Sequence, residues 1–309
     1  MRKSYNTLFT MIVSLLYLSM IPRISAFIPY YNKKVHSHCV NFSSPSNVEI
    51  NILYNSESVI AIEKPVNISY HDDGSEEGIV SYFRKLQKEN TFPYKGRIYG
   101  VHRLDRVTSG ILLFAKSKEV AGLLSTAFKD KTVTKYYVAL SNKKPKQKKQ
   151  GWVRGDMLPS RRKSWKLTKT QNNPAVTRFF TAGLGNCNLQ GWDCGDETSK
   201  DRSDVRHIHH PRTAILFQPH TGKTHQLRVA AKSLGLPILG DPIYSDGTDH
   251  KGNQRTFLHA LALHVRIRDE DIAIYNPPTS WFYSKNGISE VIKELMQKHC
   301  ENEKICLLI

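Results

Sequence analysis

One carboxylate set between two guanidinium groups carries the clearest chemical meaning in this chain of 309 residues. In Val101-His102-Arg103-Leu104-Asp105-Arg106, Asp105 lies between Arg103 and Arg106. Cations that close favour the ionised form of a carboxylate. An ionised carboxylate can act as nucleophile or base, or it can be a plain loop ion pair. Behind it, Thr108-Ser109-Gly110 predicts a turn, and Ile111-Leu112-Leu113-Phe114-Ala115 predicts a buried strand that would hold the loop still.

The elements that must position this loop follow from patterning. Residues 76–90 predict a helix with Ile79, Tyr82, Phe83 and Leu86 on one face, and 117–129 a second helix capped by Ser117. Strands are expected at 132–140, 175–182 and 213–218, then a helix at 224–234 stopped by Gly235. Residues 256–267 predict a strand-pair element, Asn276-Pro277-Pro278 a break, and Ser289 the cap of a last helix reaching His299. Residues 183–212 are polar and longer than a hairpin turn needs, which suggests a loosely ordered insertion.

Charge narrows the partners. The formal net charge is +18, from 45 basic and 27 acidic residues, and such an excess favours polyanions through counterion release and steering. The first 48 residues contribute only Arg2, Lys3, Arg23, Lys33 and Lys34 to it, so the basicity belongs to the body. It peaks in residues 143–169, where Lys143, Lys144, Arg161, Arg162 and Lys163 accompany Trp152 and Trp165, a composition suited to tracking phosphates beside unpaired bases. A solvated mobile loop is the competing reading. An anionic membrane surface is the competing partner, but Pro145, Gly151, Gly155 and Pro159 interrupt the amphipathic helix that it would need.

Five cysteines without a framework spacing argue for a reducing compartment. Cys187 and Cys194 with His207, His209 and His210 are poorly spaced for zinc, and no metal is expected. Residues 1–26 combine a basic start, a short apolar run and Ser25-Ala26, the pattern of a signal peptide. Residues 27–48 are Ser/Asn-rich, basic and free of acids, as in a transit peptide. Together they are similar to the bipartite presequences of secondary plastids, with mitochondrial import as the alternative.

The string His102-Arg103-Leu104-Asp105 with Thr108-Ser109-Gly110 and Ala115-Lys116 closely resembles the signature of RluA-type RNA pseudouridine synthases. Three further blocks resemble the family in order: residues 52–65 ending in Lys64-Pro65, Lys135-Tyr136-Tyr137-Val138-Ala139, and Thr221 to Val229 continued by Gly235 to Tyr244. The resemblance implies a single α+β catalytic domain at 49–299, around a mixed, largely antiparallel sheet with flanking helices, followed by a tail at 300–309. It implies isomerisation of uridine to pseudouridine in rRNA or tRNA without cofactor, and the mature chain is expected to be a monomer without stable membrane attachment.

The same resemblance assigns Asp105 as catalytic, as nucleophile toward sugar or pyrimidine or as base toward the ribose. It makes Tyr137 the stacking residue, Arg228 the ion-pair partner of Asp105, Leu227 an apolar floor, and Arg103 with the less certain His102 contacts to the opened RNA. Two departures are visible. Lys223 replaces an Arg, which keeps the charge and loses the bidentate fork, and Ala230 replaces a frequent His. A catalytically idle RNA-binding protein on the same scaffold is the alternative, against which the joint presence of Asp105, Tyr137 and Arg228 argues.

Overall fold

The computed structural model describes residues 50–309 except 75, 91, 93, 147, 162, 186–209, 246–254 and 279–286. Residues 1–49, which include the expected presequence, together with Arg162, most of the expected 183–212 insertion and the cysteine pair within it, therefore lie outside the described residues.

Apolar alternation and continuous apolar runs build one ten-stranded sheet. Its long path starts with β1 (Ile52–Asn55), β2 (Val59–Lys64) and β4 (Ser109–Ala115). It continues through β11 (Leu258–Ile267), β5 (Thr134–Ser141), β10 (Thr213–Pro219), β9 (Ala175–Gly183) and β6 (Gln150–Gly155). The short β3 (Tyr99–Gly100) pairs with β4, and β12 (Glu270–Tyr275) with β11. Among the described residues every pairing is antiparallel except β4 with β11, so the expected mixed, largely antiparallel sheet is present. A separate hairpin joins β7 (Met157–Pro159) to β8 (Trp165–Leu167).

Five helices flank the sheet among the described residues: α1 (Ile79–Lys88), α2 (Lys118–Lys129), α3 (Gln226–Ser233), α4 (Ile288–His299) and α5 (Glu303–Cys306). None is long and apolar enough to cross a membrane. Strand alternation sorts the core. Tyr136, Val138 and Leu140 of β5 join Leu216, Phe180 and the α4 residues Ile292 and Met296. On the opposite face Ala139 meets Ile215, Phe217, Phe179 and the α3 residues Leu227 and Ala231, with Tyr137 packed at the margin.

Several boundaries differ from expectation for local reasons. Ser109 and Gly110 do not turn but begin β4, pairing with His259 and Ala260 at the parallel seam. Gly110 has φ +107°, and a Cβ there would stand 2.4 Å from the Ala260 carbonyl oxygen, so only glycine fits. The first helix starts at Ile79 because Asp73 and Glu76 form a β-bridge and Gly78 is extended. Ser117 caps α2, its hydroxyl accepting from the Val120 amide. Ser289 does not cap α4: the helix springs from Gly287 at φ +83°, and the Ser289 hydroxyl donates to Glu290. Residues 143–169 contain β6, β7 and β8 in place of one loop, and the 300–309 tail holds α5, whose Ile305 is fully buried.

Candidate active site

Asp105 lies on the loop between β3 and β4, where its carbonyl accepts the Thr108 amide at 3.0 Å. β4 is buried along its whole length, which anchors the loop from behind. A second anchor lies under it. The Lys64 ammonium, fully buried, donates to the carbonyls of Pro65, Ile68 and Arg106 at 2.6, 2.8 and 3.2 Å. Burial pushes the Lys64 pKa down to about 7, with the Asp105 charge opposing.

The expected ion pair with Arg228 is present. Its Nη1 stands 3.5 Å from Asp105 Oδ2, which makes this contact the looser of two. The tighter one joins Arg228 Nε and Nη2 to Asp241 Oδ2 and Oδ1 at 2.7 and 2.8 Å, a bidentate fork in which both side chains are buried. Asp241 is itself held by the amides of Ile243 and Tyr244. Burial alone would lower the Arg228 pKa, but the bonds and charge of Asp241, and then Asp105, more than offset it. Arg228 is thus a fixed cation whose remaining nitrogen faces Asp105.

These groups open on a cleft of about 760 Å³. Tyr137 and Leu227 line it together with Leu258, giving Asp105 an apolar wall. Burial, and next the charge of Asp105, push the Tyr137 phenol up, so it stays neutral. A second cavity of about 610 Å³ shares Asp105, Arg103, Arg228 and His225, so the carboxylate is reached from two sides. His225 sits at φ +57° and pairs its Nδ1 with the Tyr244 hydroxyl at 2.9 Å. Burial and the Arg228 charge lower its pKa.

The residues beside Asp105 divide their duties. Arg103 is exposed at the mouth of both cavities. Arg106 turns away to Glu76 at 2.7 Å and Asp73 at 3.9 Å, so it is not the partner of Asp105. His102 lines the cleft, but its Nε2 accepts the Leu113 amide at 2.9 Å and its ring stacks on Phe128. Burial takes its pKa down to about 3, so the ring is a neutral brace for β4.

The basic residues also separate. Lys223 reaches the cleft and donates to Asn173 at 2.7 Å. Lys143 and Lys144 are exposed beyond Ser141, at the end of β5 away from Tyr137. Arg161 and Lys163 are exposed in the turn of the β7–β8 hairpin, which is tied to the site because the Trp165 amide donates to the Tyr244 hydroxyl at 2.8 Å. Sequence reasoning missed Asp241 and Tyr244, although Gly240-Asp241-Pro242-Ile243-Tyr244 had been noticed as a block. It also missed Lys129, Lys131 and Lys135, which make a basic wall of the cleft.

Residues 58–233 match the profile of the family described as RNA pseudouridylate synthase. An uncharacterized RNA pseudouridine synthase of Haemophilus influenzae is 37% identical over 252 residues, covering 81% of this chain and 98% of that protein. A tRNA pseudouridine synthase C of Pasteurella multocida is 33% identical, over 69% of this chain and 84% of its own. Among solved structures, human RNA pseudouridylate synthase domain containing 1 superposes with a TM-score of 0.60 at 21% identity, over 82% of this chain and 97% of that one, a likeness of fold.

Proposed function

The chain belongs to the RNA pseudouridylate synthase family, in its RluA-type branch, and on that premise we propose that it converts particular uridines of rRNA or tRNA to pseudouridine, with Asp105 as the reacting group. The reaction breaks the bond from ribose C1′ to uracil N1, turns the base and joins C1′ to C5, which then gives up its hydrogen as a proton while N1 gains one. No electrons are exchanged with a partner, so a carboxylate and a shaped pocket suffice. The observation that carries the assignment is the exposed edge of Asp105 beside a buried arginine, with a tyrosine and apolar side chains around it.

A uridine inside folded RNA must leave its stack to reach Asp105, at a cost of a few kcal/mol. Stacking on Tyr137 is worth about 1 to 3 kcal/mol, and Leu227 and Leu258 extend the apolar seat. Arg228 supports the carboxylate, while Arg103 at the mouth and Lys129, Lys131, Lys135 and Lys223 along the wall suit the phosphates on either side. The segment 1–48 supports delivery to a secondary plastid, with the mitochondrion as the other destination.

The test is pseudouridine mapping by carbodiimide chemistry in organellar RNA from cells with and without the protein. At least one site is expected to vanish without it, to return with the wild-type chain, and to stay absent with Asp105→Asn. An unchanged map, or an Asp105→Asn chain that restores every site, overturns the enzymatic reading. A fluorescent reporter fused behind residues 1–48 tests delivery, and a secreted or cytosolic signal overturns the plastid assignment.

A further inference from the structure

Trp152 is a large aromatic on the edge strand β6, and 45% of it is exposed. Val153 points into the core shared with α3, so alternation sets Trp152 on the other face of the sheet, beside Arg178 of β9, its partner in register. Around the indole stand three polar or cationic groups. The Arg154 and Arg178 guanidinium groups lie 4.8 and 5.7 Å from its ring centre, and the His220 ring lies 5.0 Å away at 46°.

His220 connects this surface to the cleft. It follows β10, its amide donates to the Val176 carbonyl at 2.9 Å, and both His220 and Val176 line the cavity that holds Asp105. Arg154 pairs with Val176 in the β6–β9 register. His220 therefore lines the cleft and also lies against the Trp152 indole. Burial and the neighbouring Arg178 charge lower the His220 pKa, so its ring is a neutral face at pH 7. Arg178 is held in place by Glu301 and lies over Phe180, 4.9 Å from the ring centre, while the Phe180 ring in turn stacks on His299.

We propose that Trp152, with His220 beside it and Arg154 and Arg178 flanking it, is a second nucleotide subsite, which stacks an unpaired base next to the uridine being isomerised. An aromatic face takes any base, and the Arg154 guanidinium beside it takes a neighbouring phosphate, while Arg178, paired with Glu301, adds to the positive field. Such a subsite separates targets in loops or bulges from targets inside continuous duplex. The proposal rests on the synthase reading for the identity of its RNA, but its test does not use isomerisation.

The experiment measures binding of the full chain carrying Asp105→Asn to a single-stranded oligouridylate of twelve residues and to a blunt RNA duplex of equal length. Adding Trp152→Ala is expected to weaken oligouridylate binding about 5- to 150-fold and to leave duplex binding within about twofold. Trp152→Phe is expected to restore most of the loss, because a phenyl ring still stacks. Arg154→Gln is expected to weaken both RNAs. Unchanged oligouridylate binding in Trp152→Ala, or equal loss for both RNAs, overturns the subsite and leaves that surface to a partner other than RNA. The synthase reading fails separately, when the wild-type chain makes no pseudouridine.

Discussion

Arg228 does two jobs with one guanidinium, and they can be separated. Its fork is occupied by Asp241, and only Nη1 is left for Asp105 at 3.5 Å. Asp241 is fully buried, so any influence it has on Asp105 runs through Arg228. Asp241→Asn keeps the shape and removes the charge, leaving Arg228 buried without its full counter-ion, an imbalance that costs about 3 to 5 kcal/mol in other proteins. We expect denaturant unfolding to show destabilisation on that scale. kcat is expected to fall at least tenfold, with KM for RNA nearly unchanged. The double change Arg228→Met with Asp241→Leu replaces the pair by apolar groups of similar size and is expected to recover stability while activity stays lost. Should the double variant regain activity, Arg228 has no part in supporting Asp105.

Two neutral histidines brace β4, His259 at its seam with β11 and His102 farther along the strand. His259 is 1% exposed, with the Ser109 hydroxyl 2.8 Å from Nδ1 and the Asn276 carbonyl 2.9 Å from Nε2. His102 holds the Leu113 amide. Burial pushes both down to about 3, against an ordinary value of about 6.5. Below that ordinary value the unfolded chain takes up protons that the folded chain refuses, so stability present above it falls as the pH drops toward 3. Each group can remove up to about 1.4 kcal/mol per pH unit. His102→Gln keeps an acceptor for Leu113 and does not titrate. Urea unfolding at pH 7 and pH 5 is expected to show a smaller acid loss in this variant than in wild type, and equal losses would show that His102 does not carry the effect. The His259 brace was not legible in the chain, because Ser109 lies 150 residues away from it, and the His102 brace was not, because nothing local shows that its ring turns back onto the Leu113 amide. The strands β4, β5, β9 and β10 and the helix α2 were legible, since apolar runs, alternation and the Ser117 cap are local signals. β6 was hidden because it is an edge: in Gln150-Gly151-Trp152-Val153-Arg154-Gly155 only Val153 and Gly155 are buried, and the basic residues read as loop. Asp105, Tyr137 and Arg228 could be read from motifs, whereas the role of Asp241 appears only once the chain returns against α3.

At the scale of the molecule, a formal charge of +18 must meet an RNA that touches only part of the surface. The fold concentrates part of this charge in the cleft wall, at Lys129, Lys131, Lys135 and Lys223. Lys143 and Lys144 lie beyond the other end of β5, which runs four residues past Tyr137, or about 13 Å of strand. Counterion release ties affinity to salt with a logarithmic slope of about −0.9 per duplex phosphate contacted and about −0.7 per single-strand phosphate. A short stem-loop that fills the cleft is therefore expected to feel the wall and not the distant pair. Lys129→Gln with Lys131→Gln is expected to flatten its salt slope by about 2, while Lys143→Gln with Lys144→Gln leaves the slope as in wild type. With ribosomal RNA long enough to pass β5, the second pair of changes is expected to flatten the slope too. Filter binding across about 50 to 200 mM salt reads both. If the stem-loop slope responds to Lys143 and Lys144 but not to Lys129 and Lys131, the RNA does not run through the cleft in the way Asp105 requires.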